Sequence, residues 1–301
     1  MLEAFKETQA AFPWFFTGAF FVFGAVVGSF LNVCIFRIPK GESIVVPGSH
    51  CACGAPVPPH LNVPVLSWIF LRGRAACCGR KISLRYPATE LLVACLFAAA
   101  WHFLPWELAV HAMIFFAFAV VLAFIDWDTM LLPDSVNAPF ALAGLICGAA
   151  FPRALGATEP LAGFFLACVG LGVGSMLLYW FRYFTSLLLG RETMGEGDVI
   201  LLGGIGAFCG WRGAAFAFFG AAFVGLFAWA LVRIFSRGGN ARAAREREAA
   251  RLSCEGDEAG AEAFSGESSS AFPLGPWLLI AAAVHLAFGE KIFRFLAHSA
   301  F

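Results

Sequence analysis

Two aspartates, Asp126 in FIDWDTMLLPD and Asp198 in MGEGDVILLGG, stand where long apolar runs meet polar turns. An ionised carboxylate at membrane depth is costly, so one that is kept there has a partner or a chemical task. Two such groups solve the problem together if the fold brings them within a few ångströms. Like-charge repulsion then lets the pair share one proton, leaving one carboxylate as general base toward water and the other as general acid. That is the machinery for hydrolysing a peptide bond, and it needs no cofactor.

Each acidic residue also has a plainer reading. Asp198 could cap a helix beginning at Val199. Asp134, after Pro133 and before an apolar run, reads as a cap. Asp128 reads as a group in interfacial water, and Glu90 as a partner of Arg85 rather than a substrate contact. His102, His111 and His285 read as packing or interface residues, because no nucleophile stands near them in sequence.

A second constellation is made of cysteines. Cys51 with Cys53 and Cys77 with Cys78 lie in the polar stretch 37–86. In a reducing compartment paired cysteines read as metal ligands before disulfides. Four thiolates could hold one tetrahedral Zn²⁺, which would fold a loop too small for a core of its own. The spacing departs from the two-residue gaps of a zinc ribbon, so unbound thiols, or partial ligation helped by His50 or His60, stand as alternatives. Cys34, Cys95, Cys147, Cys168 and Cys209 fall in apolar runs and read as small buried hydrophobes, while Cys254 is alone in a polar stretch.

The elements that must position these groups are membrane helices. Of 301 residues 60% are apolar and 13% charged, with 35 Phe and 32 Gly, far from the balance of a soluble domain. A bilayer core takes about 20 apolar residues in helix. On that ruler spans fall at 12–36, 87–104, 107–125, 135–152, 160–181, 199–211, 213–233 and 274–289. The expected fold is therefore an all-α polytopic membrane protein of about eight transmembrane helices, with a small cysteine-containing cytoplasmic loop domain. The first run has no basic stretch before it and no clear cleavage site after it, so it reads as a retained span. The run after Asp198 is short and rich in glycine, which predicts tilt, half-insertion or tight packing.

Charge orients the bundle. Every Lys and Arg except Lys6, Arg153, Arg212, Lys291 and Arg294 falls in or beside 37–86, 126–134, 182–198 and 234–273. By the positive-inside rule these loops face the cytoplasm and both termini face away. Asp126 and Asp198 then lie at the cytoplasmic membrane edge. The expected organisation is an N-terminal membrane segment at 12–105 that includes the Cys loop, a second membrane domain at 106–233, a polar linker at 234–273 and a final helix and tail at 274–301. Residues 253–270 have too little apolar content to fold and read as a flexible linker. No nucleic-acid partner is indicated.

Several motifs in order, GSFLNVCIFRIP, a cysteine loop ending ISLRYPATELL, IDWDTMLLPD, MGEGDVILL and FPLGPWLL, make the chain resemble the bacterial prepilin peptidases. The resemblance runs from about Phe21 to Trp211 and through the last helix. It implies a polytopic aspartic protease of the bacterial inner membrane with a Gly-x-Gly-Asp signature, its site at the cytoplasmic edge. The implied substrates are type IV prepilins or type II secretion pseudopilins, cut after a Gly to remove a basic leader. It further implies methylation of the new N-terminal amine with S-adenosylmethionine.

Carried over residue by residue, the catalytic pair maps to Asp126 and Asp198, with Gly195 and Gly197 completing the signature. The two glycines are expected to let the backbone turn sharply beside a bound strand. The resemblance assigns Gly28, Ser29 and Asn32, with the cysteine loop through Gly73, to the methyl-transfer half. Gly28 and Ser29 could equally be close helix-packing residues. The chain departs from the family's pattern at Ala75, where a cysteine is expected, and at Ile200, where a lysine is common. Glu192, Glu196 and Asp128 could attract the basic leader. Alternatives are a peptidase without methylation, a proton-coupled transporter using the aspartates as a relay, and a non-catalytic assembly factor. Both aspartates falling at one membrane face speaks against transport.

Overall fold

The computed structural model describes residues 11–51, 53–190, 194–236 and 273–299. Glu192, Cys254 and the 253–270 linker lie outside the described residues. Helix α1 spans Pro13–Arg37, a short α2 Leu66–Phe70, α3 Arg85–Phe103, α4 Trp106–Thr129, α5 Asp134–Ala150, α6 Pro160–Leu189, α7 Glu196–Ser236 and α8 Gly275–Ser299. Among the described residues there is no β-strand, only two isolated bridges in the 37–86 loop.

Proline and glycine mark the ends. Pro13 and Pro160 open α1 and α6, where a missing N–H costs nothing. Gly190 closes α6 in the left-handed conformation. Each expected span is helical, with two adjustments. The fifth extends to Leu189, and the sixth and seventh form one helix, α7, broken only at Gly210, whose φ of 69° and ψ of 176° no helix accommodates. Among the described residues four helices are long and apolar enough to cross a membrane: α1, α4, α6 and the first 32 residues of α7. Two shorter apolar helices, α5 and the described start of α8, accompany them. The protein is a multi-pass membrane protein.

Helix α4 is the central post. Phe115, Leu122 and Ile125 are wholly buried and share one core with Phe140 of α5 and Leu201, Leu202, Ile205 and Phe208 of α7, Phe115 meeting both phenylalanines. Phe140 stacks on Phe208 with centroids 5.1 Å apart. Outward-facing Trp14, Phe165, Leu188 and Phe223 form an apolar exterior that only lipid would cover.

The glycines that predict tight packing after Asp198 do pack tightly. A Cβ on Gly206 would fall on the carbonyl of Gly170, and one on Gly170 on the carbonyl of Gly206. With no hydrophobic drive between helices in lipid, such backbone approach is what holds α6 against α7. Cys34, Cys147 and Cys209 are buried as expected, but Cys95 is exposed, on the outer face of α3. A small thiol tolerates lipid as well as it tolerates protein, which is why the apolar run alone misplaced it.

Candidate active site

The last turn of α4 turns Asp126 inward, leaving it 5% exposed. Its Oδ2 accepts a 3.0 Å hydrogen bond from the backbone N–H of Gly275, the first residue of α8. That N–H is one of the four that a helix start leaves unsatisfied, so the carboxylate completes the helix end. There is no space for a side chain between them. A Cβ on Gly275 would lie 2.7 Å from Asp126 Oδ2 and 3.2 Å from its Cγ.

Asp198 comes from the first turn of α7. Its carboxylate accepts the backbone N–H of Gly195, reaching back over the helix start as the third residue of a helix does in a capping box. It also interacts electrostatically with Asp126, and Arg182 of α6 sets a positive charge beside it. The fold thus brings Asp198 within electrostatic reach of Asp126, and Asp198 makes a capping bond while it does so.

The two signature glycines have different jobs, and neither adopts a left-handed φ. Neither glycine therefore needs its freedom for a left-handed turn; close approach explains one of them. A Cβ on Gly197 would stand 2.7 Å from Leu132 Cβ and 3.1 Å from the Leu132 carbonyl oxygen, whereas one on Gly195 would meet Asp198 Oδ2 at an ordinary 3.6 Å. Gly197→Ala is therefore expected to displace the start of α7 and cut activity by about 100-fold, with Gly195→Ala within about tenfold of the parent. Initial rates on one peptide substrate would check the ranking.

The neighbouring charges are arranged differently from their sequence reading. Arg85 pairs with Asp128 at 2.6 Å, not with Glu90, and its guanidinium lies over Phe36 and Phe124 at 5.5 and 4.8 Å. Rings on two sides aim the cation at α4, a contact 43 positions away that local spacing does not reveal. Asp128 is thus ion-paired rather than simply solvated. Glu90 instead accepts the backbone N–H of Val65 at 2.7 Å and bonds Ser29, tying the loop to the α1–α3 pair. Asp134 opens α5 with no side-chain cap bond; Pro133 holds the cap position. His102 stacks on Trp14, His111 is buried against the Phe208 carbonyl, and His285 bonds the backbone of Cys209, all as packing residues do.

The cysteines converge despite their unusual spacing. The Sγ atoms of Cys51, Cys53, Cys77 and Cys78 all lie within 4.8 Å of one another, with Cys51–Cys78 at 3.6 Å and Cys53–Cys77 at 3.4 Å. Two tight turns face each other to do this, each relaxed by a left-handed glycine, Gly54 at φ 88° and Gly79 at φ 68°. Among the described residues neither His50 nor His60 joins the cluster. A tetrahedron with metal–sulfur bonds of about 2.3 Å has edges of about 3.8 Å, so the thiols fit zinc. Cys51 is lowered to about 7, first by the Cys53 backbone N–H and then by neighbouring thiols. Cys77, hydrogen-bonded to Cys53 and Cys51, is held up at about 12. Within the cluster Cys51 thus gives up its proton easily and Cys77 reluctantly.

Of the residues assigned to methyl transfer, Gly28 presses α1 onto α3: its Cβ would stand 2.8 Å from Glu90 Cα. Asn32 donates to the Tyr86 carbonyl at 3.1 Å, while its Oδ1 is buried with no partner. Gly73, at φ 68°, lies under the Trp68 ring and shapes the loop.

Sequence reasoning missed two contacts at the aspartates. Gly275 is 149 positions from Asp126, and its only signal is a Gly-Pro pair at the start of an apolar run. Asn137, an amide inside an apolar helix, donates to the Gly197 carbonyl at 2.7 Å.

Comparison with known proteins bears on the same two halves. Residues 22–104 match the Bacterial Peptidase A24 N-terminal domain, and residues 113–230 match the Type IV leader peptidase family. A prepilin leader peptidase/N-methyltransferase of Klebsiella pneumoniae is 36% identical over 215 residues, covering 68% of this chain and 90% of that protein. The chain belongs to the type IV leader peptidase family. A Myxococcus xanthus protein of the same description is 39% identical over 211 residues, 68% of this chain and 61% of its own length. One from Aeromonas salmonicida is 29% identical over 316 residues, 96% of each. No solved structure matches the chain significantly. Membership accounts for a bundle in which the Asp126 and Asp198 motifs both fall within the second matched region.

Proposed function

We propose that the chain is a membrane aspartic endopeptidase that removes the basic leader of type IV prepilins or type II secretion pseudopilins after a Gly. It then methylates the new N-terminal amine with S-adenosylmethionine. The observation that carries the reading is that Asp126, 5% exposed, and Asp198 lie within electrostatic reach of each other. The excess of Lys and Arg in their set of loops supports placing them at the cytoplasmic membrane edge, in the proposed reading that of the bacterial inner membrane.

In the proposed reaction the ionised member of the pair takes a proton from water as its oxygen attacks the scissile carbonyl carbon. The protonated member then gives its proton to the departing amine nitrogen as the C–N bond breaks. The pair titrates as a unit, so neither role belongs to one aspartate alone. The Gly275 N–H and the Arg182 charge supply fixed dipoles and charge that need not reorganise during the reaction.

Because Asp128 is paired with Arg85, Glu196 is the acidic side chain best placed to meet the basic leader. It is 86% exposed and only loosely paired with Arg182 at 3.5 Å. Glu196→Lys is expected to raise KM several-fold at low salt, with the difference shrinking as salt is added. Unchanged KM at low salt would remove Glu196 from leader binding.

S-adenosylmethionine, when bound, supplies an electrophilic methyl group on a sulfonium cation. Glu90, Ser29 and the unpartnered Asn32 Oδ1 fit such a cation on the α1–α3 half. Zinc would be held by Cys51, Cys53, Cys77 and Cys78 and would brace the loop. Purified protein is expected to carry about one zinc per chain, lost in Cys51→Ser/Cys77→Ser. Because metal must displace the proton that Cys77 holds, and below about 7 the one that Cys51 regains, apparent zinc affinity should fall as pH is lowered through 7. Metal analysis across a pH series reads both.

A further inference from the structure

We infer that Asn137 is a positioning residue for the aspartate pair: its side-chain amide grips the Gly197 carbonyl and so fixes where the Asp198 carboxylate stands relative to Asp126. The inference rests on the reading of those aspartates as the catalytic pair.

Three observations carry it. Asn137 is wholly buried in the first turns of α5, between Val136 and Ala138 in its sequence. Its Nδ2 donates to the Gly197 carbonyl at 2.7 Å, joining α5 to α7 across 60 positions of sequence at the peptide immediately before Asp198. Its Oδ1 is also buried and has no partner. A half-satisfied amide in an apolar interior is unfavourable compared with a side chain that only fills space. Packing alone would be served better by leucine at this place. The one bond the amide does make lands on the peptide whose orientation sets the direction of Asp198.

The same peptide is held from its other side. Leu132, in the α4–α5 connection, leaves no space for a Cβ at Gly197. Sterics from Leu132 and a hydrogen bond from Asn137 thus fix the start of α7 against the two elements that flank Asp126. Around Asp198 the remaining charges come from Asp126 of α4, Arg182 of α6 and Glu196 of its own turn, with the Gly275 N–H of α8 on Asp126. Release of the Asn137 grip lets the spacing of the two carboxylates change, and the strength of their electrostatic coupling changes with it.

The test is a kinetic comparison in proteoliposomes, using the full chain and a purified prepilin. Asn137→Leu keeps the approximate volume and removes the donor. The expected result is unchanged thermal unfolding, KM within about twofold and kcat lowered about 10- to 100-fold, with the pH profile of kcat displaced. Should Asn137→Leu fail to accumulate in the membrane, Asn137→Asp carries the test. Its acid form can donate the same bond and its ionised form cannot, so its activity relative to the parent falls as pH rises. A folded Asn137→Leu with the parent's kcat and pH profile, or an Asn137→Asp with relative activity independent of pH, would overturn the inference. Asp126→Asn and Asp198→Asn run alongside: cleavage surviving in those would strike the underlying reading of the pair and not the Asn137 contact.

Discussion

Asp126→Asn and Asp198→Asn are each expected to slow leader cleavage by at least about 1,000-fold, and the double variant is expected to be no slower than either alone. The reason is that the two carboxylates act through one shared proton. An amide in either place leaves the other without a partner to hold or receive that proton, so the second substitution has nothing further to remove. The substitutions are also conservative for the fold. The amide introduced by Asp126→Asn can still accept the Gly275 N–H through its carbonyl oxygen, as the carboxylate does now, and the amide introduced by Asp198→Asn can still accept from Gly195. Stability close to the parent's, with activity gone, is the pattern expected of chemistry; a fall in both would point to a structural role. Thermal unfolding in detergent beside single-turnover rates separates them.

Gly275→Ala is expected to cost about 100-fold in kcat, although it adds a single methyl group outside both aspartate motifs. The added carbon would stand 2.7 Å from Asp126 Oδ2, closer than such atoms come, and 3.4 Å from Leu201 Cδ2, so it has no free direction to move. Either the start of α8 withdraws, which breaks the hydrogen bond to Asp126, or Asp126 rotates away from Asp198. Both outcomes disturb the pair. Since α8 packs along α7 and α4 over several turns, the helix itself should remain docked and overall stability should change little. A Gly275→Ala enzyme with the parent's kcat would mean that the N–H contact has no part in the reaction.

The contrast between what the sequence announced and what it withheld follows from the range of each interaction. Apolar runs and their end signals are local, so Pro13, Pro160 and the runs themselves were enough to place the helices. Even the break in α7 had a local mark in the glycine run ending at Gly210, although the run alone could not say whether two helices or one bent helix would result. Asp126 and Asp198 were legible because carboxylates at the ends of apolar runs are unusual and because the surrounding motifs resemble a known family. Their surroundings were not. The partners of Asp126, Arg85 and Gly197 come from 149, 43 and 60 positions away, and only the packing of helices decides such pairings. The cysteines show the same limit in reverse: their spacing looks wrong for zinc, yet two glycine-relaxed turns bring the four sulfurs together.

The most direct measurement of the central claim is the mass of a prepilin co-expressed with the parent chain, with Asp126→Asn and with Asp198→Asn. The account predicts a product shortened by its leader and carrying one added methyl with the parent, and full-length precursor with either variant. Leader removal that persists with both variants would contradict it.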